Sequence, residues 1–408
     1  MRDNIKVLIA FATLASISNS MLLPYIPVYA KAEAGMPLAL VGYLVFIYYG
    51  TEMITRIPIG SIGEYSGHNT MVINGGLAIL LAASLYYTSE IFWPLLFLGQ
   101  IFFGIGFSVT WVTIPSFITK ADSSLSIYTS IVGLGWLFGP LIGGSVKQGL
   151  GMEALFLLFL FFSIILFLMS MLFYYLVSKR NFLGEASEKT LKKRFPTALT
   201  LFCLVENTVG SFKESIKLIK RDKILISILI SFIMFMSFAI SNASVLPIFV
   251  VDYLGYSDFF VAIFVAVNTA AASLIRLKAN YIVEKGGKVK TLLISTLLTG
   301  VIIVAVSYAT NKFALLFLSS LWGIAGGLYL PVVFGLIADA THKEKERGLG
   351  MGLRGTFGTA GSAIGVLVFL NIGGIFDIKF ALEVFGLFMI AFSVGLTIYW
   401  ELRKRYLR

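Results

Sequence analysis

Charged side chains are scarce in this chain: Asp, Glu, Lys and Arg make up 13% of its 408 residues, about half the usual share of a soluble domain. That balance excludes an ordinary water-soluble globule. A single cysteine, Cys203, excludes an internal disulfide. The two histidines, His68 and His342, fall in predicted loops with no cysteine or carboxylate at ligand spacing, so no metal centre is expected. Nucleotide signatures are missing as well. Gly286-Gly287-Lys288-Val289-Lys290-Thr291 lacks the upstream glycine of a phosphate loop and has Val where Ser or Thr must follow the lysine. Gly104-Ile105-Gly106 lies inside an apolar run rather than after a strand. No cofactor and no catalytic residue is expected, and nothing supports ATP hydrolysis, so the chain is not read as an enzyme.

What the chain has is hydrocarbon. With 58% hydrophobic residues and a mean hydropathy of +0.91, it reads as an all-α integral membrane protein. An α-helix needs about 20 apolar residues to cross roughly 30 Å of hydrocarbon. Twelve such runs occur, near 5–30, 38–60, 69–87, 92–118, 124–147, 154–177, 223–251, 258–280, 288–309, 312–338, 347–371 and 378–400. The first is too long for a signal-peptide core and has a repeat partner in the seventh, so it is expected to be a retained span.

The net charge of +11 is explained by where the basic residues fall. With a cytoplasmic N-terminus, 25 of the 32 Lys and Arg lie on the cytoplasmic side; only Lys31, Lys147, Lys312 and Lys379 fall outside, and Arg56, Arg276 and Arg354 within spans. This bias predicts a multi-pass cell-membrane protein with both termini in the cytoplasm. A basic surface facing anionic membrane lipid accounts for the charge without nucleic acid.

The chain also repeats itself. A shift of 220 positions lays Arg276 under Arg56, Glu284 under Glu64, Gly287 under Gly67, Pro247 under Pro27, Gly255 under Gly35 and Gly326 under Gly106. One constant offset over so long a span is the mark of a duplication. The expected organisation is therefore an N-terminal six-helix bundle, 1–178, a cytoplasmic linker, 179–222, and a C-terminal six-helix bundle with a short basic tail, 223–408. In the linker Phe202, Val205, Val209, Phe212, Ile216 and Ile219 recur at spacings of three and four, as in an amphipathic helix lying on the inner leaflet.

Within the spans the informative residues are those that hydrocarbon disfavours. A charge at the bilayer centre costs roughly 2.5–3.5 kcal/mol on insertion scales, so it needs a partner, a cavity or a function. Glu52 and Arg56 are one turn apart and can pair. Glu52 has Ala272 as its repeat partner, and Arg354 has Leu134, so each is a one-sided feature. Glu52, Arg56 and Arg354 are the candidates for proton coupling. Arg276 repeats Arg56 near a helix end, and Asp122 and Asp339 close spans four and ten. Span five carries Gly135, Gly139 and Gly143 on one helical face beside Pro140, and span eleven is likewise glycine-rich. Such faces allow close helix approach and suit a moving contact as well as a fixed one. Pro24 and Pro27 interrupt the end of span one.

Twelve spans as six plus six, a basic central loop, and the turn Arg56-x-x-x-Gly60-x-x-x-Glu64-x-x-Gly67 with its echo through Arg276, Glu284 and Gly287 resemble the major facilitator superfamily. The cluster Gly139-Pro140-x-x-Gly143-Gly144 is similar to its span-five antiporter signature, and Pro24-x-x-Pro27 to its drug-exporter branch. Against the family pattern, Glu64 replaces an aspartate, Tyr65 and His68 replace basic residues, and Gln100 stands where exporters carry an arginine. The resemblance implies alternating access through a central cavity lined by spans one, four, seven and ten. Asn19, Gln100, Trp111, Asn242, Trp322 and Tyr329 are its cavity candidates. Gly60, Glu64, Gly67, Asp122, Gly135, Gly139, Pro140, Gly143, Arg276, Glu284, Gly287 and Asp339 are its gating candidates. It further implies a monomer that exports a small amphipathic, drug-like molecule in exchange for protons. The alternatives are a symporter or facilitator importing a metabolite, and a non-transporting receptor or scaffold on the same fold.

Overall fold

The computed structural model describes residues 2–66, 68–120, 125–183, 217–341 and 344–406. Those residues are almost wholly helical, with no strand among them. Among the described residues eleven stretches are long and apolar enough to cross a membrane, and one of these, Val132–Val177, is 46 residues long. It is two spans, because the helix Leu125–Leu183 breaks at Gly151, where φ is 87°. Hydropathy therefore located the spans, and among the described residues each predicted run falls on helix to within a few residues.

The repeat is visible in backbone geometry. Span one ends at Leu22 and restarts as Tyr25–Val28, followed by a π-helical turn at Tyr29–Glu33. Span seven ends at Ala243 and restarts as Val245–Ile248, followed by a π-helical turn at Phe249–Tyr253. In each, the wide turn closes through the same bonds: Ala34 N and Leu254 N donate to Tyr29 O and Phe249 O, both at 2.9 Å. Gly35 and Gly255 then reverse the chain with φ of 65° and 69°, a region that costs an L side chain roughly 1–2 kcal/mol.

By compactness the described residues fall into two units, Met1–Leu22 with Ile47–Lys213, and Leu23–Phe46 with Glu214–Arg408. In the first, span one packs on span five and span three on spans four and six. In the second, span seven packs on span eleven, span nine on span twelve and span eight on span ten. Glycine sets these distances. A Cβ on Gly135 would stand 2.6 Å from Ser16 Cβ, and one on Gly358 would stand 2.9 Å from the Phe235 ring. Leu23–Phe46 belongs to the second unit through contacts of the same kind: Tyr25 Oη donates to the Asp258 carbonyl at 3.5 Å, and Gly42 faces Leu370.

Two expectations are corrected. The segment after span two is not a turn, because the helix Leu38–Ser66 continues through Arg56, Gly60 and Glu64. Its echo is helical too, as Ala279–Gly286. Glycine weakens a helix by about 1 kcal/mol relative to alanine, and one or two do not end it. His68 opens the next helix rather than sitting in a loop. Gly67, Asp122, His342 and the amphipathic linker stretch up to Ile216 lie outside the described residues.

Candidate functional site

In the first unit the polar residues of spans one, two and four converge. Glu52 is 3% exposed, and its Oε1 pairs with Arg56 Nη2 one turn on. Ser108 on span four donates to the Glu52 carbonyl at 3.1 Å and accepts from Thr55 Oγ1 at 2.8 Å, which latches the two helices at the acid. Asn19 on span one donates through Nδ2 to Tyr48 Oη at 3.3 Å, and Tyr48 stands one turn before Glu52. Asn19 Oδ1, Tyr49 Oη and Gln100 Oε1 are buried without a hydrogen-bond partner, a situation that costs roughly 1–3 kcal/mol per group in a dry interior. A carboxylate, a cation and these open acceptors make a region suited to handling a proton with water. Glu52 lies 14 residues before the helix end at Ser66, about 21 Å along the axis at ~1.5 Å per residue. Trp111 is half-buried.

The glycine seam of span five sits beside this region. Gly139 faces Ser20 Oγ and the Ile17 carbonyl, the latter 2.6 Å from where a Cβ would stand. Helix runs unbroken through Pro140, which is buried as Gly143 is.

In the second unit Arg354 is partly exposed and lies against two rings, Phe334 at 4.8 Å and Phe235 at 5.4 Å from the guanidinium carbon. Its Nη1 donates to Tyr329 Oη at 3.4 Å, and Tyr329 packs edge-on against Phe235. Its Nε has no partner. The other cavity candidates of this half satisfy themselves locally. Trp322 Nε1 donates to Ser237 Oγ at 3.2 Å, and Asn242 Nδ2 to Ser241 Oγ at 2.6 Å and the Phe238 carbonyl at 3.0 Å.

Of the gating candidates, Arg276 donates through Nε to the Gly327 carbonyl at 3.4 Å, so it repeats the position of Arg56 but not its carboxylate partner. Glu284 is exposed. Gly287, with φ of 77°, joins two helices. Asp339 pairs with Lys288 at 2.7 Å inside its own unit. The side chain of Glu64 lies outside the described ones. Sequence reasoning missed Tyr48, Ser108, Phe235, Phe334 and Lys288. Only Tyr48, at the i−4 position of Glu52, had a local signal.

Comparison with known proteins agrees with this architecture. The chain resembles the inner membrane transport protein YajR of Escherichia coli, 26% identical over 149 residues, which is 35% of this chain and 32% of that one. It resembles the multi-drug resistance efflux pump PmrA of Streptococcus pneumoniae, 24% identical over 359 residues, covering 84% of this chain and 82% of that protein. Among solved structures, a POT family transporter in complex with 5-aminolevulinic acid superposes with a TM-score of 0.73 at 14% identity, covering 97% of this chain and 95% of that one. The nucleoside transporter NupG does so with 0.71 at 11% identity, covering 97% and 98%. The sequence pattern of the Major Facilitator Superfamily matches residues 7–289 and 228–406, so the chain belongs to that family.

Proposed function

We propose that this protein is a proton-coupled secondary transporter that exports a small amphipathic compound by alternating access of two six-span bundles, 1–178 and 223–408. The observation that carries the coupling is the buried Glu52–Arg56 pair, latched to span four by Ser108 and bordered by the open acceptors of Asn19 and Tyr49. Protonation of Glu52 would release Arg56, and loss of that proton to water entering the site would restore the pair. The export direction is supported by the likeness to PmrA. Asn19, Gln100, Trp111, Asn242, Trp322 and Tyr329 are proposed to line the substrate path.

Proteoliposomes and a panel of anionic, neutral and cationic amphiphiles test this reading. Antiport concentrates a solute inside acid-loaded vesicles diluted into neutral buffer. Accumulation only in alkaline-loaded vesicles would replace antiport by symport, and no movement under any gradient would overturn transport altogether.

A further inference from the structure

Two of the three arginines within spans, Arg56 and Arg354, are held in opposite ways. Arg56 is neutralised by Glu52. Arg354 has no carboxylate within ion-pair distance among the described residues. Three carboxylates of its unit are already engaged, Asp222 by Arg403 at 3.0 Å, Asp339 by Lys288 at 2.7 Å and Glu401 by Lys404 at 2.9 Å. Phe235 and Phe334 stabilise the guanidinium through their π faces, but a ring contact leaves the charge in place. The cation is therefore held without being quenched. The rings and Tyr329 also hold the guanidinium, while Nε, itself buried, keeps an unused donor. Nε–H and an adjacent Nη–H form the side-on fork that a carboxylate occupies bidentately.

Position argues that this is not a requirement of the fold. Arg354 lies ten residues into the helix that begins at Glu344, about 15 Å at ~1.5 Å per residue. Shifted by 220, the residues Phe235, Tyr329, Phe334 and Arg354 become Ala15, Val109, Ile114 and Leu134. The first unit builds the same helix packing with four apolar residues where the second has a caged cation.

We propose that Arg354, oriented by Tyr329 and walled by Phe235 and Phe334, is an anion-recognition subsite that takes the carboxylate of an amphipathic, ring-bearing organic acid. This rests on the transporter reading above and narrows its substrate to anionic amphiphiles. The two half-exposed rings supply the apolar surface, and the fork supplies charge and orientation.

Isothermal titration calorimetry on the full-length protein in detergent tests the subsite, with 1-naphthoate, neutral 1-naphthamide and inorganic phosphate as probes. Naphthoate is expected to bind saturably and about tenfold or more tighter than naphthamide, since one charge-assisted fork is worth that factor. Phosphate alone should bind weakly or not at all. Arg354→Gln should abolish the preference for naphthoate over naphthamide, Arg354→Lys should restore part of it, and Tyr329→Phe should reduce it severalfold. Equal binding of naphthoate and naphthamide by the wild type needs no variant and would overturn the subsite, as would an undiminished preference in folded Arg354→Gln. Ethidium transport without naphthoate binding would sink the subsite and leave the exporter standing. Naphthoate binding without transport of any amphiphile would do the reverse.

Discussion

Ser20 on span one reaches the Gly135 carbonyl of span five at 2.9 Å, one turn from where Gly139 leaves no room for a Cβ. A Cβ there would collide with Ser20 Oγ, which can rotate, and stand 2.6 Å from the Ile17 carbonyl, which cannot. Gly139→Leu should therefore insert normally, since insertion follows hydropathy, yet force the helices apart and stop transport. Overpacking of this kind costs about 1–3 kcal/mol. Gly139→Ala should lie between, and adding Ser20→Ala should recover only part of the loss, because the Ile17 carbonyl remains. Gly149→Leu, with nothing within 4 Å of its Cβ position, is the control. Full transport by Gly139→Leu would show the seam to be incidental.

Gly35 and Gly255 allow a cleaner test, because no atom lies within 4 Å of either Cβ position and only the positive φ is at stake. Each Gly→Ala change should destabilise by about 1 kcal/mol, and Gly→Asn by less. The double Ala variant should be additive within about 0.5 kcal/mol. Thermal unfolding in detergent measures this, and a neutral Gly255→Ala would remove the strain argument.

The 220-residue offset and the spans were legible because duplication and hydropathy are written locally. The π-turns at Tyr29–Glu33 and Phe249–Tyr253 were not, since a hydrogen bond one residue wider leaves no composition mark. The pattern of Arg56, Gly60, Glu64 and Gly67 suggested a turn where the helix runs on to Ser66. The pairing of Glu52 with Arg56 follows from a spacing of four. The rings around Arg354 come from residues 119 and 20 positions away, and no periodicity connects a cation to aromatics on other helices.

Topology can be checked by labelling. In a background lacking Cys203, cysteines at Ser187 in the linker and at Thr310, exposed between spans nine and ten, should react from opposite sides of the membrane. The linker cysteine should be shielded in intact cells. Labelling of both from one side would contradict the orientation drawn from the basic residues.

Lys288 opens span nine and Asp339 lies one residue from the end of span ten, so each charge sits at the helix end its dipole disfavours. Their contact at 2.7 Å, with side chains 31% and 42% exposed, is worth at most about 1 kcal/mol. The swap Lys288→Asp with Asp339→Lys keeps the pair and reverses both dipole terms, so it should unfold at a temperature equal to or above the wild type. Each single variant should unfold below it. A swapped protein that is stable but inactive would assign the pair to gating, and one less stable than both singles would refute the dipole argument.

Glu52→Gln is the decisive substitution for coupling. It keeps the size of the side chain and most of its hydrogen bonding but cannot take up or release a proton. The site is one-sided, with Ala272 at the repeat position, as a coupling residue confined to one half would be. Uphill accumulation driven by a pH step should fall at least tenfold, while exchange down a solute gradient continues. The variant also leaves Arg56 without its counter-ion in a setting where Glu52 is 3% exposed, and breaking a buried pair costs about 3–5 kcal/mol. A loss of activity in the single variant therefore has two readings. Adding Arg56→Gln separates them, because the double variant contains no unpaired charge and should regain thermal stability. If it regains pH-driven accumulation as well, the pair is a structural tie and the proton travels elsewhere. If stability returns while only downhill exchange survives, Glu52 carries the proton.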